Sequence, residues 1–158
     1  FHDPQSNTLA IVDYAHNYAS VTALLDFVDE RFGSQHPRIT LVTGSAGNKA
    51  YDRRKEIVEA AQHRIDSFIF TAEDTDTEPF IDICMEMQGY ITNKDVASTV
   101  ISDRPTAITN AIYDARAHAD RFNILLIIGK GNERWIKDHH KHVPFDGDDH
   151  VVERMFGL

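Results

Sequence analysis

The segment Ile124-Leu125-Leu126-Ile127-Ile128-Gly129 is the strongest strand signal in this 158-residue sequence. An unbroken apolar run that ends at a glycine is typical of a strand covered on both faces, as in a parallel sheet. Shorter, β-branched runs of the same kind occur elsewhere along the chain. They predict four further strands, at residues 9–13, 39–43, 67–71 and 98–102.

Between these runs, apolar residues recur with helical spacing. In Tyr18–Phe32 they stand at Val21, Leu24, Leu25 and Val28, the i, i+3, i+4, i+7 pattern of a helix with one buried face. Four more helices are predicted, at residues 53–64, 78–90, 103–118 and 148–156. The alternation of strands and helices predicts an α/β fold, namely a Rossmann-like, doubly wound, mostly parallel sheet in a single domain that spans residues 1–158.

Charge and composition exclude several classes of partner. The formal net charge is -9, which argues against nucleic acids and anionic membrane surfaces, since both require clustered Lys and Arg. No apolar run approaches the roughly 20 residues of a membrane span. The single cysteine, Cys84, lies in an apolar stretch and is predicted to be a buried structural thiol, which fits the reducing cytoplasm. The first residue is Phe1, so we expect a domain taken from a longer protein.

In doubly wound sheets, ligands bind beyond the carboxyl ends of the strands, so the segments that follow the strands are the candidate site. Glycine and polar residues are concentrated there. The segments are residues 13–16 (DYAH), 44–49 (GSAGNK), 73–78 (EDTDTE), 103–104 (DR) and 129–133 (GKGNE). None of them matches a P-loop or a GxGxxG pattern.

Four of these residues have side chains suited to a nucleotide or an amino acid. Asp13 could accept hydrogen bonds from a ribose, and His16 could stack on a base, act in acid–base chemistry or be structural. Lys130 and the neighbouring amides would favour an anion if a helix began there. The carboxylate of Glu133 could hold an ammonium group.

The remaining polar clusters are weaker signals. The acidic run at residues 73–78 could be a solvated loop or could attract a metal, although carboxylates without a second cluster are a weak metal signal. The histidine tract at residues 139–142 is read as a solvated loop rather than a zinc site, because no cysteine lies nearby and the spacing does not suit i,i+4 pairing on a helix. Residues 146–149 (DGDD) are read as a turn with a helix cap, without the EF-hand pattern.

Taken in chain order, these segments resemble the motifs of the C-terminal domain of Mur ligases, most closely those of the ligases that add the third residue of the peptidoglycan stem peptide. The resemblance covers nearly the whole chain. The matching segments are residues 12–16 (the family's VDYAH), 44–54 (its GxxGxRDxxKR loop), 71–78 (its DNPR loop), 103–108 (its DRxxAI), 129–133 (its GKGHE) and 144–148 (its F-D-D segment).

The resemblance implies a piece of a three-domain ligase. ATP would phosphorylate the carboxylate of a UDP-muramoyl peptide, and the amine of a free amino acid would attack the acyl phosphate to form an amide, releasing ADP and phosphate. ATP and Mg²⁺ would be bound mainly by a central domain outside this chain. No residue of this domain would be catalytic on its own, and the isolated domain is expected to be inactive.

The resemblance also implies roles for individual residues. Asp13 and His16 would contact the nucleotide. The amino-acid substrate would contact a second set, namely Lys49, Asp74, Asp76, Gly129 and Glu133.

Departures from the family's motifs bear on the substrate. Asp76 stands where DNPR-type enzymes have the arginine that pairs with the distal carboxylate of diaminopimelate. A carboxylate there would repel that group and attract an ammonium, so lysine or ornithine is predicted. Lys49 replaces an arginine and loses its bidentate grip on a carboxylate. Asn132 replaces the histidine of GKGHE.

Three other functions remain open for the sequence. It is compatible with a folylpolyglutamate synthetase-like paralogue, with a Mur-ligase-like subunit that partners an amidotransferase, and with a non-catalytic nucleotide-binding module, since fold alone does not fix function.

Overall fold

The apolar segment that ends at Gly129 forms strand β5 (Asn123–Ile128), all of whose residues are buried. The computed structural model describes residues 1–158. Strand β5 pairs in parallel with β1 (Thr8–Asp13) on one side and β2 (Arg38–Thr43) on the other. A strand with parallel neighbours on both edges and helices over both faces has no solvated side, which explains its unbroken apolar sequence.

Two more strands extend the sheet beyond β2. They are β3 (Ser67–Phe70) and β4 (Ala97–Val100), and the order is β1-β5-β2-β3-β4 with every pairing parallel. The chain thus returns from the outer strand to insert β5 between β1 and β2, which confirms the predicted doubly wound α/β sheet. Strand β4 is largely exposed because it forms the open edge.

The helices cover the two faces of this sheet. The chain has α1 (Tyr18–Phe32), α2 (Asp52–Ala61), α3 (Phe80–Gly89), α4 (Arg104–Ala117) and α5 (Asp148–Phe156). One hydrophobic cluster joins the first three helices to one face of the sheet, and a second joins α4 and α5 to the other. None of these helices is both long and apolar enough to cross a bilayer.

All five predicted helices are present, although α3 begins later than predicted. Pro79 is its N-cap, with a ψ of 126°, instead of lying in the first turn. The reason is steric: a residue that precedes proline is disfavoured in the α region, so Glu78 stays outside the helix.

The segment after β5 departs from its prediction. No helix begins at Gly129; the chain instead forms an antiparallel hairpin of β6 (Trp135–Asp138) and β7 (Lys141–Pro144). The histidine tract at residues 139–142 is exposed, as predicted, but only its first half is a loop, because Lys141 and His142 belong to β7. His139 and His140 are exposed at the hairpin tip, with φ values of 45° and 65°. Two consecutive residues with positive φ are what a tight two-residue hairpin turn requires, and glycine or asparagine is the usual signal for it.

A buried ion pair joins the two helices on the second face. The Arg104 guanidinium donates from Nε and Nη2 to the two carboxylate oxygens of Asp148, each at 2.7 Å, and both side chains are fully buried. Its Nη2 also donates to the backbone carbonyl of Ile128 at 2.8 Å, and Nη1 to that of Ala72 at 3.2 Å. Arg104 thereby links α4 and α5 to the ends of β3 and β5. Helix α5 begins within residues 146–149 as predicted, with Gly147 as its N-cap, but no side chain caps it.

Cys84 is buried in the first hydrophobic cluster, which confirms the prediction of a structural thiol. Its Sγ lies 3.8 Å from the backbone carbonyl of Thr71. Burial raises the pKa of the Cys84 thiol to about 12, because a thiolate would be poorly solvated there.

Replacing Asp148 with asparagine should leave the Arg104 charge buried without a counter-charge. We expect a loss of about 3–5 kcal/mol in the free energy of unfolding, measured by urea denaturation. The control is Asp146→Asn at an exposed neighbour, which should change stability by less than about 0.5 kcal/mol. Equal effects of the two substitutions would contradict the importance of the buried pair.

Because the Cys84 thiol stays protonated and enclosed, it should react very slowly with a thiol-specific disulfide reagent at pH 8. In denaturing urea the same thiol should react rapidly. Fast labelling of the native protein would show that the cluster around Cys84 opens readily.

Candidate functional site

The loops that follow β1, β5, β2 and β3 lie side by side at one end of the sheet, because those strands are consecutive in the sheet order. We call this end of the sheet the rim. It brings the predicted site residues Asp13, His16, Gly129 and Glu133 together with Asp74 and Asp76. Lys49 follows β2 at the same end.

The loop after β1 offers free acceptors at the rim. One carboxylate oxygen of Asp13 accepts the backbone N–H of Ala15 at 2.8 Å, which leaves the second oxygen available. The His16 Nδ1 atom lies 2.7 Å from the carbonyl oxygen of Tyr14. A carbonyl can only accept, so Nδ1 carries a hydrogen, and Nε2 is the ring nitrogen without a partner in the chain. Both side chains are half-buried.

Lys130 is a buried cation that joins three parts of the rim. Its ammonium contacts Asp74 Oδ1 at 2.9 Å and the carboxylate of Glu133, and it lies 4.1 Å from the centre of the Trp135 ring. The side chain has no exposed surface. The sequence interpretation of Lys130 as an anion-binding group at a helix start is therefore wrong, since no helix begins there and two carboxylates already neutralise the ammonium.

Tyr14 connects the loop after β1 to Glu133. The Tyr14 hydroxyl donates to Glu133 Oε1 at 3.2 Å, and the ring stands edge-on to His16 with centroids 5.3 Å apart. Partial burial and the nearby Glu133 carboxylate raise the pKa of the Tyr14 phenol, so it remains a donor at neutral pH. Glu133 is thus held from both sides, by Lys130 and by Tyr14.

The loop after β3 is anchored to the hairpin. Asp74 Oδ1 accepts the backbone N–H of Lys137 at 2.9 Å. The Asp76 carboxylate accepts the backbone N–H of His140 at 2.7 Å and lies 3.5 Å from the Lys137 ammonium. The His140 hydrogen bond is the main reason that the pKa of Asp76 is lowered. Of the two alternatives left open for the acidic run, a fully solvated loop is wrong, because Glu73 and Asp76 are buried.

Two glycines let the loop after β2 approach the loop after β3. A Cβ at Gly44 would collide with the carbonyl oxygen of Thr71, and a Cβ at Gly47 would collide with that of Thr75. Only glycine permits such close backbone contact. The loop ends at Lys49, which is exposed and forms no ion pair.

A buried arginine that the sequence reasoning did not select supports this contact. The Arg54 guanidinium donates to both carboxylate oxygens of Glu78, at 2.7 and 2.8 Å, and to the carbonyl of Ala46 at 3.1 Å. Arg54 is the last residue of the glycine-rich motif, so its place in that motif was the available signal. The sequence alone did not indicate that Glu78, among the many acidic residues of the chain, would be the partner of Arg54.

Glu73 was also missed as an individual site residue. Glu73 is buried, with an exposed fraction of 9%, and lies between Gly44 in the loop after β2 and Gly129 in the loop after β5. Burial is the largest cause of a raised Glu73 pKa; Arg104 opposes that effect.

The largest cavity lies beside the rim rather than within it. It is a groove of about 620 Å³ between the hairpin and the start of α4, lined by residues that include Phe80, Asp103, Ile136, Val143 and Phe145. No group of three or more His, Cys, Asp or Glu side chains is placed to hold a metal ion.

Comparison with known proteins agrees with this geometry. The family model described as "Mur ligase, glutamate ligase domain" matches residues 2–134. A UDP-N-acetylmuramyl-tripeptide synthetase of Bifidobacterium longum is 91% identical over 158 residues, which are 100% of this chain and 31% of that protein. A UDP-N-acetylmuramoyl-L-alanyl-D-glutamate--L-lysine ligase of Enterococcus faecalis is 35% identical over 144 residues, 90% of this chain and 27% of that protein.

A solved structure shares the whole fold. It is that of a UDP-N-acetylmuramoyl-L-alanyl-D-glutamate--2,6-diaminopimelate ligase, with a TM-score of 0.80, 25% sequence identity and coverage of 99% of this chain and 30% of that one. The chain therefore spans about a third of the length of the relatives that it matches. On the family model, the identity and the shared fold, this chain belongs to the Mur ligase family and carries its glutamate ligase domain.

Proposed function

We propose that the longer protein containing this chain is an ATP-dependent ligase that adds an amino acid to a UDP-muramoyl peptide in the cytoplasm, during peptidoglycan precursor synthesis. The observation that carries the proposal is the rim itself, where acceptors suited to a nucleotide and carboxylates suited to an ammonium lie on adjacent loops. The names of the B. longum and E. faecalis relatives support the same reaction class. The N-terminal and central domains would lie outside this chain.

The loop after β1 fits a nucleotide. The free carboxylate oxygen of Asp13 would accept a ribose hydroxyl, and His16 would contact the nucleotide through its outward-facing edge. When bound, ATP supplies the phosphoryl group that activates the substrate carboxylate. Mg²⁺ is assigned to the central domain, together with most of the ATP contacts, so the isolated chain would be inactive.

The loops after β2, β3 and β5 would hold the incoming amino acid. The unpaired Lys49 ammonium is free to take the α-carboxylate, although as a point charge rather than a bidentate fork. Glu133 and Gly129 would line the far end of the pocket. Asp74 would contribute through the loop that it fixes against Lys130.

For the identity of the amino acid, we propose lysine or ornithine rather than diaminopimelate. Asp76 presents a carboxylate where an arginine would be needed for a distal carboxylate, and its lowered pKa keeps it ionised. Lys137 contacts that carboxylate at 3.5 Å with a partly exposed side chain, so a substrate ammonium would compete with it for Asp76. The lysine ligase among the relatives is consistent with this choice.

The test is ATP-dependent phosphate release by the full-length protein with UDP-muramoyl dipeptide and, separately, lysine, ornithine or diaminopimelate. Turnover with lysine or ornithine alone is expected. Turnover with diaminopimelate would support the ligase function but contradict the proposal that Asp76 selects a cationic side chain. The absence of turnover with all three would point to a paralogue with another substrate.

The variant Asp76→Asn removes the negative charge but retains the size of the side chain and an acceptor for the His140 N–H. Loss of one ionic contact should raise KM for the cationic amino acid by about tenfold, which corresponds to roughly 1.4 kcal/mol. The control is Asp82→Asn, an exposed residue in the first turn of α3, which should leave KM unchanged.

A further inference from the structure

The carboxylate of Glu73 is a buried charge without a partner. Neither oxygen accepts a hydrogen bond or forms an ion pair within the chain, yet the side chain is 91% buried, with an exposed fraction of 9%. Its oxygens are not among the fully enclosed polar atoms that lack partners, so they retain a small solvent-exposed area. A buried carboxylate is normally paired, because an unpaired one lowers the stability of the fold.

Two glycines keep the space that this carboxylate occupies. A Cβ at Gly129 would lie 2.6 Å from Glu73 Oε2, and one at Gly44 would lie 3.2 Å from Glu73 Cβ. Gly129 has a φ of 104°, which other residues rarely adopt. Any side chain at Gly129 would displace the Glu73 carboxylate, so its observed location depends on glycine at residue 129.

The charged neighbours of Glu73 are already engaged elsewhere. Arg104 from α4 is bound to Asp148 and to two carbonyls, and Lys130 from the loop after β5 is bound to Asp74 and Glu133. The titratable groups of the neighbouring loop after β1 are His16 and Tyr14, and Asp74 adjoins Glu73 on its own loop. No cation of the chain is therefore dedicated to Glu73.

The position of Glu73 lies between the two proposed ligand subsites. Its carboxylate reaches the loop after β5, where a Cβ added at Gly129 would lie 2.6 Å from Oε2. Strand β5 adjoins β1, whose loop carries Asp13 and His16 on the nucleotide side. Bond formation between an activated carboxylate and an incoming amine must occur where these subsites meet.

We propose that Glu73 accepts the proton from the ammonium of the incoming amino acid, which makes it the general base of amide formation. This role rests on the proposed ligase function. An amino acid arrives largely as an ammonium, whose nitrogen has no free electron pair, so a base is required before attack. A carboxylate with no competing donor, held at the junction of the subsites, meets that requirement.

Amide formation removes two protons from the ammonium of the amino acid. The first N–H bond breaks and its proton passes to a Glu73 oxygen. The freed nitrogen lone pair forms a C–N bond with the carbonyl carbon of the acyl phosphate, and the bond between that carbon and the phosphate oxygen breaks. The second N–H proton passes from the nitrogen to the departing phosphate, which leaves as inorganic phosphate. Glu73 then returns its proton to solvent.

The raised pKa of Glu73 determines the pH dependence. A general base acts only when deprotonated, so activity should fall as pH drops through the Glu73 pKa, at a higher pH than for an ordinary glutamate. The same group, ionised and unpaired above that pKa, destabilises the fold. Folding stability contributed by this site is therefore greatest at low pH and is lost as pH rises.

The variant Glu73→Gln in the full-length protein tests the proposal with two independent readouts. In the phosphate-release assay, kcat should fall by about 10²–10⁴-fold with little change in KM for the amino acid, and the acid limb of the pH profile should disappear. In thermal unfolding at pH 7.5, the variant should melt at the same temperature as the wild type or higher, and this difference should shrink at lower pH.

Two companion variants complete the test. Glu73→Asp retains a carboxylate and should keep an acid limb with reduced kcat. Glu30→Gln, at an exposed position on α1 that forms no ion pair, should match the wild type in both assays.

The outcomes separate this proposal from the proposed function. An inactive wild type would reject the ligase function itself. An active wild type with an unchanged pH profile in Glu73→Gln would reject the general-base role. A lower melting temperature with raised KM and an intact acid limb would assign Glu73 a structural role and also reject the proposal.

Discussion

The enclosed ammonium of Lys130 is the contact on which the arrangement of the rim depends. A buried lysine is unfavourable unless carboxylates surround it, and here Asp74 and Glu133 approach it from two different loops while the Trp135 ring covers it. Since Asp74 also accepts the backbone N–H of Lys137, the hairpin is located by the same charge. Lys130 therefore fixes the loop after β3 against the loop after β5 and the hairpin that follows it.

Two more buried arginines act in the same way on either side of it. Arg54 joins the glycine-rich loop to Glu78, and Arg104 joins α4 to α5 and to the ends of two strands. Each cation has a carboxylate partner supplied by another element. Against this background Glu73 stands out, because it is the buried carboxylate for which the fold supplies no cation.

Much of the fold could be predicted from the sequence, and the failures have physical reasons. Strand β5 and helix α1 were evident because each has a long periodic or uniform apolar pattern that local sequence alone determines. The hairpin was missed because its turn is made by His139 and His140, which adopt positive φ only within tertiary contacts to the loop after β3. The start of α3 was shifted because the effect of Pro79 on the residue before it was not weighed.

The candidate site was predictable to the level of loops rather than side chains. Asp13, His16, Gly129 and Glu133 do share one rim, because the sheet order brings the carboxyl ends of their strands together. Which side chains turn inward depends on partners distant in sequence. Lys130 was read as an anion-binding group, and Glu73 as one of several acids in a loop, although both side chains are buried among partners or backbone that the sequence does not reveal.

The close passage of the glycine-rich loop against the loop after β3 has a consequence for exchanging specificity between relatives. Gly47 leaves no room beside the Thr75 carbonyl, and Asp76 closes the same loop against the hairpin. If residues 71–79 of a relative were transferred alone, they would lack the glycine-rich loop and the hairpin against which they normally pack. A working transfer would need the glycine-rich loop, the loop after β3 and the hairpin together. Relatives with different substrates are therefore expected to differ in all three segments at once.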